Sequence, residues 1–151
     1  MSAAFQIRQA SPADLSALLR LEEASFSSDR LSRRRLRHWI GAANGSLLVA
    51  VDPAGTLLGS CLLLTRRNSR KARLYSIATA ANARGRGLGA ALLREAEQQA
   101  RNRDCTQMFL EVAEDNRAAL ALYQREGYTQ TGFLPHFYED GRDALRLTKQ
   151  I

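Results

Sequence analysis

A loop rich in glycine and arginine is the first feature of the sequence that suggests chemistry. It reads Arg84-Gly85-Arg86-Gly87-Leu88-Gly89 and lies between a strand-like segment and a strongly helical one. Glycines let consecutive backbone N–H groups turn toward one concavity, and the following helix adds its positive end. This pattern predicts a pyrophosphate site that the two arginines would strengthen. The lysine-serine/threonine pair of a P-loop is missing, and a dinucleotide-binding fold would place its glycines after the first strand.

A second motif follows this loop further along the chain. The loop fits the pattern R/Q-x-x-G-x-G/A, and residues 110–128 read LEVAEDNRAALALYQREGY. The two segments, in this order, closely resemble those of the GNAT superfamily of N-acetyltransferases. Residues 137–144, FYEDGRDA, are similar to the end of N-terminal protein acetyltransferases. Among bacterial members, the chain most resembles the type that acetylates the N-terminal alanine of ribosomal proteins (the RimI type).

The sequence departs from the family pattern at two places. Ala113 stands where the family often has arginine after L-E-V, and Thr79-Ala80-Ala81 replaces V-x-P in the strand before the glycine loop. Neither change removes a side chain that the reaction needs. Both changes weaken the inference that this chain acts on the same substrate as the family members it resembles.

The resemblance implies transfer of an acetyl group from acetyl-CoA to an amine, with two side chains moving protons. Glu111 corresponds to the residue that accepts the amine proton, a task suited to a positioned carboxylate. Tyr123 would donate a proton to the departing thiolate, and its reference pKa of about 10 suits a thiol near 8.5. Without the motif, an ion-paired surface glutamate and a core tyrosine would explain the same residues. Cys61 and Cys105 lie outside the motifs, so direct transfer in a ternary complex is expected.

The resemblance also implies which residues hold acetyl-CoA. In this family the strand containing Ile77, Ala78 and Thr79 splays from its neighbour, pairs with the pantetheine amides and offers an N–H to the thioester oxygen. Asn116 is expected to cap the following helix, to hydrogen-bond the pantetheine arm, or both. The expected pyrophosphate site comprises Arg84, Gly85, Arg86, Gly87, Leu88, Gly89 and Ala90.

The tail of the chain bears on the acceptor. Tyr138 lies in the tail motif and His136 just before it, so both are predicted to bind substrate. We expect the acceptor to be the N-terminal α-amine of a protein or peptide, with a ribosomal protein among the candidates. A polyamine, an amino acid, an aminoglycoside or a protein lysine stays an alternative. A non-enzymatic CoA-sensing module is disfavoured because Glu111 and Tyr123 are both present.

Apolar periodicity indicates the elements that would position these residues. Strands are predicted at residues 5–9, 46–51, 56–65, 72–80, 107–113, 128–137 and 144–149, and helices at residues 11–22, 32–40, 87–103 and 117–126. This order and the resemblance imply one GNAT domain over residues 1–151. Its α/β fold would have a mixed, mostly antiparallel central sheet with helices on both faces.

Composition limits where the protein is expected to be located and what it is expected to bind. The 151 residues are 45% hydrophobic, and no apolar run approaches the roughly 18 residues of a membrane span. No secretory signal is evident, and the two cysteines make no disulfide framework, so a cytoplasmic protein is expected. No spacing of ligating residues resembles a metal site, so no metal is expected. The net charge of +7 comes from clustered arginines that could attract a polyanion, and whether they contact nucleic acid stays open.

Overall fold

The computed structural model describes residues 4–27 and 29–151. Its elements are β1 (Gln6–Gln9), α1 (Leu15–Ser25), α2 (Arg33–Trp39), β2 (Gly45–Val51), β3 (Leu57–Leu64), β4 (Lys71–Thr79), α3 (Leu88–Asn102), β5 (Gln107–Ala113), α4 (Arg117–Arg125), β6 (Thr129–Leu134) and β7 (Ala144–Gln150). Short 3-10 helices precede α1 at Pro12–Asp14 and α3 at Ala81–Ala83. The predicted order of strands and helices is confirmed.

Local sequence signals account for the helix starts. The Ser32 hydroxyl accepts a hydrogen bond from the backbone of Arg35 at the start of α2. At the start of α4, the Asn116 side chain accepts one from Ala119 at 3.2 Å. Each cap satisfies a backbone N–H that has no partner inside the helix. The predicted capping role of Asn116 is therefore confirmed.

The strands form one sheet in the order β1-β2-β3-β4-β5-β7-β6. Every neighbouring pair is antiparallel except β4 and β5, which run parallel. The predicted mixed, mostly antiparallel sheet is confirmed. The parallel pair lies at the centre of the sheet, and α3 forms the crossover that a parallel connection requires.

Helices cover both faces of the sheet, but not to the same extent. On one face α3 and α4 enclose the larger core, which includes Leu92, Leu93 and Tyr123. On the other face α1 and α2 pack on β2, β3 and β4 through residues such as Leu18 and Leu36. The second layer stops at β4, so an open groove remains over β5 and β7. Among the described residues, no helix is long and apolar enough to cross a membrane.

Gly59 on β3 sets how closely α3 approaches the sheet. A Cβ at this position would lie 2.9 Å from the Ala78 carbonyl oxygen and 3.1 Å from a Leu88 methyl carbon. Both distances are shorter than van der Waals contact, and the carbonyl belongs to the rigid backbone of β4. The seating of α3 against β4 therefore depends on a glycine at position 59.

We expect Gly59→Ala to lower the free energy of unfolding by about 1–3 kcal/mol, because overpacking a dense core shifts side chains and backbone. Urea denaturation measures this change. Gln98→Ala, at an exposed position of α3, is the control and should change stability by no more than about 0.5 kcal/mol. Equal stability of the two variants would show that α3 can shift away from the sheet with little loss of folding free energy.

Candidate active site

The parting of β4 from β5 creates the candidate site. The two strands pair only from Lys71 opposite Gln107 to Arg73 opposite Phe109. β4 continues to Thr79 and β5 to Ala113, while β3 stays paired with β4 as far as Thr79. Within the described residues, no strand pairs with the β5-facing edge of β4 beyond Arg73. This is the splay that the resemblance led us to expect, and it leaves backbone groups available to a ligand.

A groove runs from this gap to the glycine loop, and we call it the cosubstrate groove. Its lining includes Ile77, Ala78, Thr79, Arg84, Gly85, Gly87, Leu88, Gly89, Ala90, Asn116, Leu122 and Arg125. The structure thus brings together all but one of the residues expected to hold acetyl-CoA. The exception is Arg86, which does not line the groove and whose guanidinium donates to the Asn82 carbonyl at 3.4 Å.

The glycines of the loop have two different roles. Gly85 and Gly87 have positive φ angles of 83° and 73°, a region that favours glycine. A Cβ built on either would meet no atom within 4 Å, so open space surrounds both. A Cβ at Gly89 would instead lie 3.2 Å from a Leu122 methyl carbon. Gly85 and Gly87 shape a cradle before α3, whereas Gly89 lets α3 approach α4.

The cosubstrate groove continues into a cavity of about 320 Å³, here named the central pocket. Ile77 and Asn116 line both spaces, so a ligand in one can reach the other. Glu111, Tyr123 and Tyr138 all line the central pocket. Three of the four residues predicted for proton transfer and acceptor binding therefore meet at one place, although they lie on β5, on α4 and in the loop after β6.

Two arginines hold the Glu111 carboxylate. Arg73 contacts Oε1 through Nε at 2.9 Å and through a terminal nitrogen at 2.7 Å, and Arg146 Nε contacts Oε2 at 2.9 Å. The Glu111 side chain is only 4% exposed. A carboxylate has about four acceptor positions. The two Nε hydrogen bonds each occupy one of these positions, and within the described residues Oε2 keeps a second position that an amine or a water could use.

Tyr123 lies at the end of the pocket that α4 forms. It is 5% exposed and packs edge-on against Tyr128 with ring centroids 5.8 Å apart. Burial, with smaller contributions from Tyr138 and Cys61, raises the pKa of Tyr123 well above its usual range. The phenol therefore keeps its proton at any physiological pH, as a proton donor must before transfer.

The loop between β6 and β7 places its two predicted substrate residues differently. Tyr138 lines the central pocket, and burial and the nearby Glu111 raise its pKa to about 12. The Arg142 guanidinium lies over its ring, 5.3 Å from the centroid. His136 lines neither the central pocket nor the cosubstrate groove. Its ring contacts the Gly141 carbonyl, and its backbone N–H donates to Asp143.

Sequence reasoning missed the cations that surround Glu111. Arg73 is on β4 and Arg146 on β7, and the latter lies directly opposite Glu111 in the strand register. Each arginine lies between two apolar residues in its strand, a pattern that places its side chain on the opposite face of the sheet from those neighbours. Only the pairing of strands distant in sequence shows that both reach the same carboxylate. Arg125 in the cosubstrate groove was also missed, and its exposed place on α4 offered no separate signal.

The described part of the chain holds no group of three or more His, Cys, Asp or Glu side chains arranged to bind a metal ion. The two cysteines in this part are free and buried. The side chains in the central pocket that can carry a proton include the carboxylates of Asp29 and Glu111 and the phenols of Tyr75, Tyr123 and Tyr138.

A splayed parallel strand pair, a glycine cradle before a long helix and a pocket with a carboxylate and a buried phenol define the class of acetyl-CoA-dependent N-acetyltransferases. The chain belongs to the acetyltransferase (GNAT) family, whose model matches residues 14–128.

Relatives agree with this assignment. An uncharacterized N-acetyltransferase of Methanocaldococcus jannaschii is 31% identical over 145 residues, which cover 95% of this chain and 90% of that protein. The N-alpha-acetyltransferase RimI of Mycobacterium tuberculosis is 33% identical over 115 residues, covering 74% of this chain and 65% of that protein. The crystal structure of Ard1 from Thermoplasma volcanium superposes with a TM-score of 0.89 at 25% identity and covers 99% of both chains.

We expect Gly87→Leu to remove the thermal stabilisation that acetyl-CoA gives, because its side chain would enter the open cradle. At one hundred times the dissociation constant, ligand binding stabilises the wild-type fold by about 2.7 kcal/mol. Differential scanning fluorimetry with and without acetyl-CoA measures the effect.

Gly55→Leu is the matched control for this variant. Gly55 also has a positive φ and open surroundings, but it lies in the turn after β2. Both variants carry a similar backbone penalty, so only the response to acetyl-CoA should separate them. A normal response in Gly87→Leu would place the cosubstrate elsewhere.

Proposed function

We propose that this enzyme acetylates the N-terminal α-amine of a protein or peptide by direct transfer from acetyl-CoA. The observation that carries the proposal is that Glu111, Tyr123 and Tyr138 line one pocket at the mouth of the cosubstrate groove. The relatives named as N-alpha-acetyltransferases support this acceptor class, and a ribosomal protein is among the candidate partners.

Each residue of the site has a separate role in the transfer. Glu111 takes a proton from the attacking amine, directly or through a water at the remaining position on Oε2. As the new C–N bond forms and the C–S bond breaks, Tyr123 donates its proton to the sulfur. The unpaired edge of β4 around Ile77 and Thr79 supplies backbone N–H groups for the charge that develops on the acyl oxygen. Asn116 and the loop residues that line the cosubstrate groove hold the rest of acetyl-CoA; these are Arg84, Gly85, Gly87, Leu88, Gly89 and Ala90.

The cysteines support direct transfer rather than an acetyl-cysteine intermediate. Cys61 is 1% exposed, and burial raises its pKa to about 12, so its nucleophilic thiolate is scarce at neutral pH. Burial also raises the pKa of Cys105, which lines neither the cosubstrate groove nor the central pocket.

Amine basicity supports the α-amine as acceptor. A free α-amine has a reference pKa of about 7.7–8.0, and a lysine amine about 10.4. Deprotonating lysine at neutral pH therefore costs roughly 3–4 kcal/mol more. A single carboxylate held by two arginines is better matched to the less basic α-amine.

Tyr123→Phe should lower turnover by about 10²–10⁴-fold, the usual size of a general-acid contribution, with little change in acetyl-CoA binding. Single-turnover kinetics measure the chemical step itself. Tyr128→Phe is the control, since this phenol bonds Glu97 at 2.8 Å and lies outside the central pocket. It should lower stability but not the rate of transfer. Wild-type chemistry in Tyr123→Phe would assign the acid role to another group.

A peptide with both a free N-terminus and one lysine should be acetylated mainly at the N-terminus at pH 7.5. Tandem mass spectrometry of the product locates the acetyl group. A peptide with a blocked N-terminus is the control and should react far more slowly. Acetylation mainly on lysine, or rapid turnover of a polyamine with no reaction on any peptide, would rule out this acceptor.

A further inference from the structure

A basic groove leads away from the central pocket along the open face of the sheet. It runs over β5 and β7 and shares Arg73, Glu111 and Phe137 with the central pocket. It then continues past Asn44, Thr65 and Ser69 into a second depression beside the turn after β3. The cations that define this basic groove are Arg66, Arg67, Arg70, Lys71, Arg73 and Arg146.

Positive charge in the basic groove is not balanced by the protein. Within the described residues, its acidic lining consists of Glu111 and Asp104. Glu111 already contacts two arginines, so that group of three keeps a net positive charge. The cations Arg66, Arg67, Arg70 and Lys71 are exposed and make no ion pair within residues 4–27 and 29–151.

Other cations of the region have structural partners, which makes the unpaired ones distinct. Arg103 donates to the carbonyls of Ala43 and Gly45 at 2.9 and 2.8 Å, so it ties together loop and strand. The Arg146 guanidinium lies 5.6 Å from the centre of the Phe109 ring. Within the described residues, no such contact is made by the exposed side chains of Arg66, Arg67, Arg70 and Lys71. Holding like charges side by side costs free energy that an anionic ligand would recover.

We propose that the basic groove binds the acceptor's chain beyond its N-terminus and selects acceptors with acidic residues in that segment. This inference rests on the proposed function, because the groove begins where the acceptor amine would meet Glu111. An acceptor ammonium approaching the basic groove is repelled, and carboxylates next to it in the acceptor offset the repulsion. The cations of the groove thus bind the acidic segment that follows the amine.

The test compares three peptides that share length and N-terminal alanine and carry aspartate, alanine or arginine in the following residues. The aspartate peptide should have the highest kcat/KM and exceed the arginine peptide by about tenfold, as a few exposed charge pairs would supply. Raising sodium chloride from about 0.05 to about 0.5 M should shrink the difference, because salt screens exposed charges.

A charge-reversal variant tests whether the basic groove causes the preference for acidic peptides. Arg66→Glu with Lys71→Glu should bring the aspartate and arginine peptides to similar kcat/KM values, mainly through KM. Arg20→Glu, at an exposed position of α1 outside the grooves, is the matched control and should keep the wild-type ratio. Thermal unfolding with acetyl-CoA identifies any variant that fails to fold. The comparison of the three peptides with the wild-type enzyme does not depend on the variants.

The outcomes separate this inference from the proposed function. If all three peptides are acetylated at the N-terminus at equal rates, the acceptor class holds and the acidic preference is wrong. A preference for the arginine peptide also overturns it. If a short oligoribonucleotide binds tightly and the three peptides do not differ, the groove is a nucleic-acid surface. Reaction of a polyamine with no peptide acetylated would overturn both proposals.

Discussion

The structure depends on the point at which β4 and β5 part. Pairing of these parallel strands ends at Arg73 and Phe109, although both strands continue. Backbone groups on the free edge of β4 need partners, and an extended amide-bearing ligand can provide them. The gap also leads from the cosubstrate groove to the central pocket. The acyl donor and the acceptor can therefore reach one another from opposite faces of a continuous sheet.

The same parting explains the distribution of helices. α3 and α4 close the sheet on the cosubstrate side, whereas α1 and α2 cover the other face only as far as β4. β5 and β7 therefore keep a half-open face, where Glu111 and Arg146 meet directly across the ladder. A carboxylate in this setting has to be held by cations or hydrated. The two arginines hold it, and within the described residues Oε2 keeps an acceptor position.

A second buried carboxylate shows the structural counterpart of this arrangement. Glu97 on α3 is 3% exposed, accepts from the Tyr128 phenol at 2.8 Å and from Lys149 at 3.1 Å. This cluster joins α3, the segment after α4 and β7 in the interior. Its groups bond one another and line neither the cosubstrate groove nor the central pocket. Burial alone therefore does not separate these two carboxylates, whereas access to the central pocket does, since Glu111 lines it and Glu97 does not.

The sequence by itself determined the elements, the helix cap at Asn116, the glycine cradle and the family. These features are local, since each depends on residues only a few positions apart, and so periodicity and motif reveal them. The tertiary structure alone decided that Arg73 and Arg146 reach Glu111, that Gly89 serves helix packing, and that His136 lies outside the central pocket. Such contacts join residues far apart in the chain, and they follow from strand register and the direction of side chains.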